Sequence, residues 1–388
     1  MSRRGGKAAF LHKLTSKMQH FESINIGQKI EGSTPPSVFI GKFGYPKVFA
    51  GPLISQQHGD TSILDMPEVW IPEGKFSKEI VNFRLQLVRG KAIVGIKELD
   101  NKLVSQLQEI ALAKSSTEAE AQFKSKPRGV LFNEEYQPFG PSAPLQKLEV
   151  ANVKWNPQLE KVYYDTDLKA SEGIKLTYEK GLLFSQIQKA FSVGAMGLGK
   201  NRKLVPTRWS ITAVDDTLGR YLLESVKQFP VLDIYQVYEF KSMENYFAIL
   251  LMPTLWQYEN FEAFIHVIGN EIVLFSDWEP YTGRKTYSEQ GGCYYSARFA
   301  IAEHLNKIKK QAGAIVFREA YPNYIPLGVW NVRENIRTAL KQQPKEFFTL
   351  KDSLDYIRTK LALPIEKFIR ESKLLRHVTQ QTMLNRFF

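Results

Sequence analysis

DIYQVYEFKSMENYFAILLM, residues 233–252, is so rich in aromatic and β-branched side chains that it reads as a β-hairpin. Outward from it, EIVLFSDW from Glu271 and GAIVFRE from Gly313 read as further strands. Between those two, Tyr294, Ala297, Ile301, Leu305 and Ile308 recur at helical spacing. Beyond Gly328 the pattern is almost wholly helical. Towards the other end, PSVFIGKFGYPKVFAGP (36–52) predicts two short strands around a turn punctuated by Gly and Pro. Leu99, Leu103, Leu107 and Ile110 predict an amphipathic helix, and Leu183, Ile187 and Ala190/Phe191 predict another that stops at Gly194. KSSTEAEAQFKSKPRG (114–129) has little to bury and reads as a surface insertion, continued by NEEYQPFGPSAP as a long loop. Strands and helices intermingle without a regular βαβ repeat. The expected class is α+β, with mixed or antiparallel sheets, packed helices and a helix-rich C-terminal region.

Composition bounds the function. The chain has 388 residues, 43% hydrophobic and 12% aromatic, enough for a sizeable core and more than one structural unit. Its net charge of +12 suits a polyanionic partner such as nucleic acid. A lone cysteine, Cys293, excludes an internal disulfide framework and a cysteine-rich zinc site. The start is basic without a long apolar stretch, so residues 1–30 read as a flexible arm and not as a secretory signal. YFAILLMPTLW (246–256) is too short to span a bilayer and is broken by Pro253. No membrane association is expected, and the location expected is cytoplasmic.

The chain ends QTMLNRFF. Gln381, Leu384, Phe387 and Phe388 fit the spacing Q-x-x-aliphatic-x-x-aromatic-aromatic. In one 3₁₀ turn Leu384 and Phe387 eclipse, with Phe388 beside them as a third apolar prong and Gln381 free for a polar rim. That arrangement resembles the box (PIP box) through which replication and repair proteins bind the sliding clamp, proliferating cell nuclear antigen (PCNA). The plain alternative is a C-terminal anchor that folds onto the chain's own core.

Other constellations each carry two readings. In VWNVRENIRTALK, Val329, Val332, Ile336 and Leu340 form a buried stripe, and Arg333, Arg337 and Lys341 line up beside it. Such a row tracks a phosphate backbone or is an ordinary solvated face. GAMGLGKN (194–201) is one letter from a P-loop, but a helix precedes it and Asn201 replaces the hydroxyl. The reading favoured is a basic loop, with Lys200 and Arg202 against nucleic acid. Gly41-Lys42-Phe43-Gly44 has the G-x-x-G form of a nucleotide-backbone clamp, though between strands and not helices. Alternation through Trp209, Ile211 and Ala213 predicts a strand ending at Asp215 and Asp216. These carboxylates, with Asp277, Glu279 and Glu319, either hold Mg²⁺ or Mn²⁺ for phosphodiester cleavage or, at 216–217, cap a helix. His266 and His304 lack metal spacing and read as structural.

PPSVFIGKFGYPKVFAGPL (35–53), GAIVFREAYPNYIPLGVWNVRENIRTAL (313–340) and KLVPTRWSITAVDDTLGR (203–220), together with the terminal box, resemble the archaeal Nre DNA-repair family. The resemblance covers nearly the whole chain beyond the arm. It implies a part in DNA-damage tolerance, a C-terminal clamp-binding peptide, DNA as partner and a nucleoid-associated location. Among the basic residues of these blocks Lys42, Lys47, Arg208 and Arg318 are candidates for DNA contact. Many relatives begin with a cysteine cluster suggestive of zinc; this N-terminus has no cysteine, so no zinc site is expected there. The implied organisation is an arm to residue 30, an α+β domain over 31–285, a mostly helical region over 286–380 and the terminal peptide 381–388. A non-enzymatic adaptor and a metal-dependent nuclease both remain open on these grounds.

Overall fold

The computed structural model describes residues 6–16, 18, 21, 24–133 and 135–384, with side chains described as far as 378. Contacts group the described residues within 15–218 and 326–330 into one compact unit, and those within 1–14, 219–325 and 331–388 into a second. These cuts fall at other points than the sequence division at 285. The α+β class holds: each unit is a mixed sheet with helices.

The chain opens with α1 (Lys7–Ser16). The first unit then runs β1 (Lys29–Thr34), β2 (Val38–Ile40), β3 (Lys47–Ile54), α2 (Pro67–Trp70), α3 (Ser77–Leu85), β4 (Val88–Gly95), α4 (Lys102–Leu112), β5 (Thr117–Phe123) and β6 (Ser142–Val150). It continues through α5 (Pro157–Tyr164), α6 (Ala170–Glu179) and α7 (Phe184–Ser192) into α8 (Thr207–Val226). Its strands are ordered β1-β5-β6-β4-β3-β2, antiparallel except for β4 beside β6. α4 is started by Asn101, whose side chain accepts the Leu103 N–H, and it buries Val104, Leu107, Ile110 and Ala111; of the expected stripe, Leu99 precedes the helix and Leu103 is only partly buried. α7 stops where expected: Gly194 has φ +72°, and a Cβ there would lie 2.8 Å from the Lys203 carbonyl oxygen.

Under this sheet sits a buried ion cluster. Asp65 pairs with Arg84 at 2.5 Å and with Lys189 at 2.7 Å, and it accepts the Ser37 hydroxyl. Burial pushes the Asp65 carboxyl up, but Arg84 and Lys189 together outweigh it and hold the group below its ordinary range.

Two expectations fail in this unit. The supposed insertion at 114–129 supplies β5, an interior strand paired with both β1 and β6. Its inward positions Ala119, Ala121 and Phe123 alternate with polar residues, and alanines are too small to announce a buried face. The supposed strand through Trp209 is instead part of α8. Ser210, Val214, Leu218 and Leu222 are buried at helical spacing, so the alternation of 209, 211 and 213 was accidental. Asp215 therefore sits inside a helix, and neither Asp216 nor Thr217 caps one.

The second unit comprises β7 (Tyr235–Ser242), β8 (Asn245–Met252), β9 (Tyr258–Ile265), β10 (Ile272–Glu279), α9 (Gly292–Ile308), β11 (Gly313–Ala320), α10 (Trp330–Ala339), β12 (Lys345–Phe347), α11 (Leu350–Arg358), α12 (Ile365–Glu371) and α13 (Lys373–Leu384). The order is β10-β9-β11-β8-β7-β12, with β9 and β11 parallel. The opening hairpin is β7–β8, turned by Met243 and Glu244 at φ 51° and 55°. Strands β8, β9 and β11 are buried along their whole length, as central strands of a covered sheet should be. The rings of Phe261 and Phe317 each meet Phe368 of α12 edge-on, at 5.5 and 5.4 Å.

Carboxylates of the strands tie the C-terminal helices to this sheet. Glu259 of β9 accepts the Lys373 and Leu374 N–H groups and the Ser372 hydroxyl at the start of α13. Glu319 of β11 accepts the Ala362 and Leu363 N–H groups at 2.9 and 2.8 Å, and Glu239 of β7 accepts the Tyr356 hydroxyl at 2.6 Å. The expected arm is also corrected over 7–14. Lys7 is buried, with Nζ 2.5 Å from Glu262 and 2.9 Å from the Gln290 carbonyl, and Phe10 packs on Phe264 at 4.9 Å. His304 packs on Tyr238 at 5.3 Å, and burial, with Lys307 adding, pushes it down to about 4. No helix among the described residues is long and apolar enough to cross a membrane.

Candidate nucleic-acid interface

The β2–β3 hairpin turns through Gly44, at φ +82°, where a Cβ would lie 2.7 Å from the Lys47 carbonyl oxygen. That tight turn lifts Lys42, Phe43 and Tyr45 clear of the sheet and leaves Lys47 exposed at the start of β3. Beside it, β3 pairs with β4 so that Phe49 stands opposite Ile93. Two-residue alternation then puts Lys47 and Phe49 of β3 on the same face as Arg89, Lys91 and Ile93 of β4. Gly51 is obligatory between them, because a Cβ there would come within 1.8 Å of the Gly90 oxygen. Thr207, at the start of α8, accepts the Ile40 N–H at 3.0 Å. This bond brings Arg208 and Trp209 to the same place, and Trp209 packs on Tyr45 at 5.2 Å.

The resulting surface carries large rings that a core would normally claim. Phe43 is 76% exposed, Trp209 45%, Tyr45 42% and Phe49 41%. Beside Phe43 and Phe49 opens a pocket of about 140 Å³, lined also by Phe39, Lys42, Lys91, Arg89, Tyr136 and Arg208. Its charge is one-sided. Burial lowers the Lys42 ammonium and Arg208 lowers it further; burial and then Arg89 do the same to Lys91. Arg208 is the exception, since it is ion-paired with Glu135. Exposed rings can stack bases, and unpaired cations among them can take phosphates. Paired bases in a duplex hide their faces, so this chemistry suits a single strand.

Of the basic residues named from sequence, Lys42, Lys47 and Arg208 come together here. The others do not. Arg202 donates to the Gly197, Tyr163, Val162 and Asp165 carbonyls and so staples a loop, with Lys200 exposed beside it. Arg318 is buried against Glu262 at 2.6 Å, Asn245 and Tyr324. The expected row on α10 is not a phosphate track: Arg333 is buried beside Glu334, Arg337 forks onto Glu303 at 2.7 and 3.0 Å, and only Lys341 of the three is exposed. Sequence reasoning missed Phe49, Trp209, Arg89, Lys91 and Tyr136. The signal was present in RGKAI (89–93), where two cations and an isoleucine alternate on one face.

The five candidate catalytic carboxylates are all engaged by the protein's own groups, and Asp277 and Glu279 are linked through Arg284 stacked on Tyr294. Asp277 is taken by Arg284 at 2.5 Å and Ser288 at 2.7 Å; Glu279 by Arg298, Tyr294 and Trp256; Glu319 by the backbone of 362–363. Asp215 is fully buried in α8, next to Asp216, and both have partners. Among the described residues no group of three His, Cys, Asp or Glu side chains could hold a metal ion. Of the clamp-binding candidates, Gln381 and Leu384 lie on the backbone of α13, but their side chains, and Phe387 and Phe388 entirely, fall outside the described residues.

Comparison with known proteins agrees along the whole chain. The family model described as archaeal Nre, N-terminal, matches residues 6–267, and the one described as archaeal Nre, C-terminal, matches 279–387. The chain is 39% identical over 370 residues to DNA repair protein NreB of Archaeoglobus fulgidus, covering 93% of this chain and 92% of that protein. It is 33% identical over 387 residues to DNA repair protein NreA of the same organism, covering 97% and 94%. With DNA repair protein NreA of Haloferax volcanii the identity is 30% over 380 residues, covering 93% and 90%. No solved structure matches the chain.

Proposed function

The chain belongs to the archaeal Nre family, and on that premise we propose that it is a DNA-repair factor with two contacts. Its first unit binds single-stranded DNA on the β2–β3–β4 face, and its last eight residues tether it to the sliding clamp. The repair role is carried over from the relatives' names. The observation that supports the DNA contact most strongly is the set of exposed rings, Phe43, Tyr45, Phe49 and Trp209, interleaved with Lys42, Lys47 and Lys91. The tether rests on the spacing of Gln381, Leu384, Phe387 and Phe388. A short terminal peptide binds a groove modestly, but it raises the local concentration of the attached face at clamp-bearing DNA.

The division of labour is testable with one truncation. Titration of the archaeal clamp is expected to give binding with the intact chain and none with a chain lacking residues 381–388. Affinity for a single-stranded oligonucleotide, measured in parallel by fluorescence anisotropy, is expected to be the same for both forms. Equal clamp affinity would remove the tether, and loss of DNA binding on truncation would move the DNA contact to the tail.

A further inference from the structure

Arg89 is only 6% exposed, and its Nε makes no hydrogen bond. Its guanidinium lies 4.4 Å above the Phe39 ring and 4.7 Å from that of Phe139. Among the described residues no carboxylate pairs with it; the neighbours acting on it are the neutral Tyr136 phenol and two like charges, Lys91 and the already compensated Arg84. A buried cation without a counter-ion costs the fold several kcal/mol and is kept where something else repays it. This one lines the pocket of about 140 Å³, together with Lys42 and Lys91. An anion entering from solvent would supply the missing partner.

The charge narrows the anion. The volume of about 140 Å³ admits a phosphate group. A phosphodiester inside a strand carries one negative charge, whereas a terminal phosphate carries close to two for the three cations to meet. The exposed rings at the mouth can stack the base next to it.

We propose that the Arg89 pocket is a phosphomonoester site, which takes the terminal phosphate of a single strand lying on the β2–β3–β4 face. The proposal rests on that face binding single strands. The same chemistry is offered by a free mononucleotide, so the test separates the two sources.

Affinities of the full chain would be compared for one oligonucleotide ending in a 5′-phosphate, a 3′-phosphate or hydroxyls only, and for dAMP and inorganic phosphate. One phosphorylated end is expected to bind about tenfold or more tightly than the hydroxyl form. Arg89→Met keeps the apolar stem between the rings and is expected to erase that preference. It should weaken phosphate-ended binding far more than hydroxyl-ended binding and hold or raise Tm, since an unpaired buried charge is removed. Lys91→Gln is expected to weaken the preference without touching a buried group, and so gives a second reading should Arg89→Met fold poorly. Equal binding of all three oligonucleotides would overturn the pocket proposal and leave the face intact. Binding of dAMP or phosphate that Arg89→Met abolishes, with no oligonucleotide bound, would keep the pocket as a mononucleotide site and discard the face. No binding of any probe would overturn both.

Discussion

Single-stranded DNA is expected to bind a Phe43→Ala, Phe49→Ala, Trp209→Ala triple variant more than about a hundredfold more weakly than the parent chain. Stacking on an aromatic side chain is worth about 1–3 kcal/mol per base, so three rings at the low end already remove about 3 kcal/mol, or two decades in Kd. The rings are 76, 41 and 45% exposed, so Phe49→Ala and Trp209→Ala also give up buried surface and lower Tm, whereas Phe43→Ala alone should leave the melting curve in place and still weaken binding. An affinity change with an unchanged melting curve separates a lost binding surface from a damaged fold. Retained affinity in the triple variant would mean that DNA binds elsewhere.

The second large effect is on stability. Asp65→Ala leaves Arg84, 1% exposed, and Lys189 buried without their shared counter-charge. Breaking a buried ion pair from one side costs about 3–5 kcal/mol, a large share of the 5–15 kcal/mol that holds a typical domain together. Urea unfolding should report a loss of that order, and Asp65→Asn, which keeps the shape but not the charge, should lose most of it too. The pH dependence has a definite sign. The folded carboxyl is held below its ordinary value, so its contribution is fully present above about pH 4 and is lost as pH falls through the folded value. The Asp65 variants should therefore lose less stability on acidification than the parent. A loss under about 1 kcal/mol in Asp65→Ala would show that the cluster does not support the fold.

Much of this architecture was legible because apolar residues keep the period of their element. The β7–β8 hairpin, β11, α4 and α9 all announce themselves that way. Strands β5 and β9 do not. In β9 the buried Glu259 and Glu262 look solvent-facing until their partners, Ser372 and Lys7, are brought from more than a hundred residues away. Those partners also explain why α1 is not a free arm. The interface was half legible. Charge picked out Lys42, Lys47 and Arg208, but charge also picked out Arg202, Arg318 and Arg337, whose guanidinium groups hold the protein's own carbonyls and carboxylates. What separates the two lysines from these arginines, and from Arg208 on Glu135, is a nearby acceptor, which is a property of tertiary structure. The exposed rings escaped notice for the same reason, because in sequence Phe49 and Trp209 look like core.

The central claim is that bases stack on the face formed by β2, β3, β4 and the start of α8. Photo-cross-linking a 5-bromouracil-substituted single strand to the full chain, followed by peptide mass spectrometry, tests it most directly. The expected result is cross-links on the peptide spanning Lys42–Phe49 and on the one containing Trp209. Cross-links confined to α10–α13 or to the Gly199–Asn201 loop, with none on the hairpin, would contradict it.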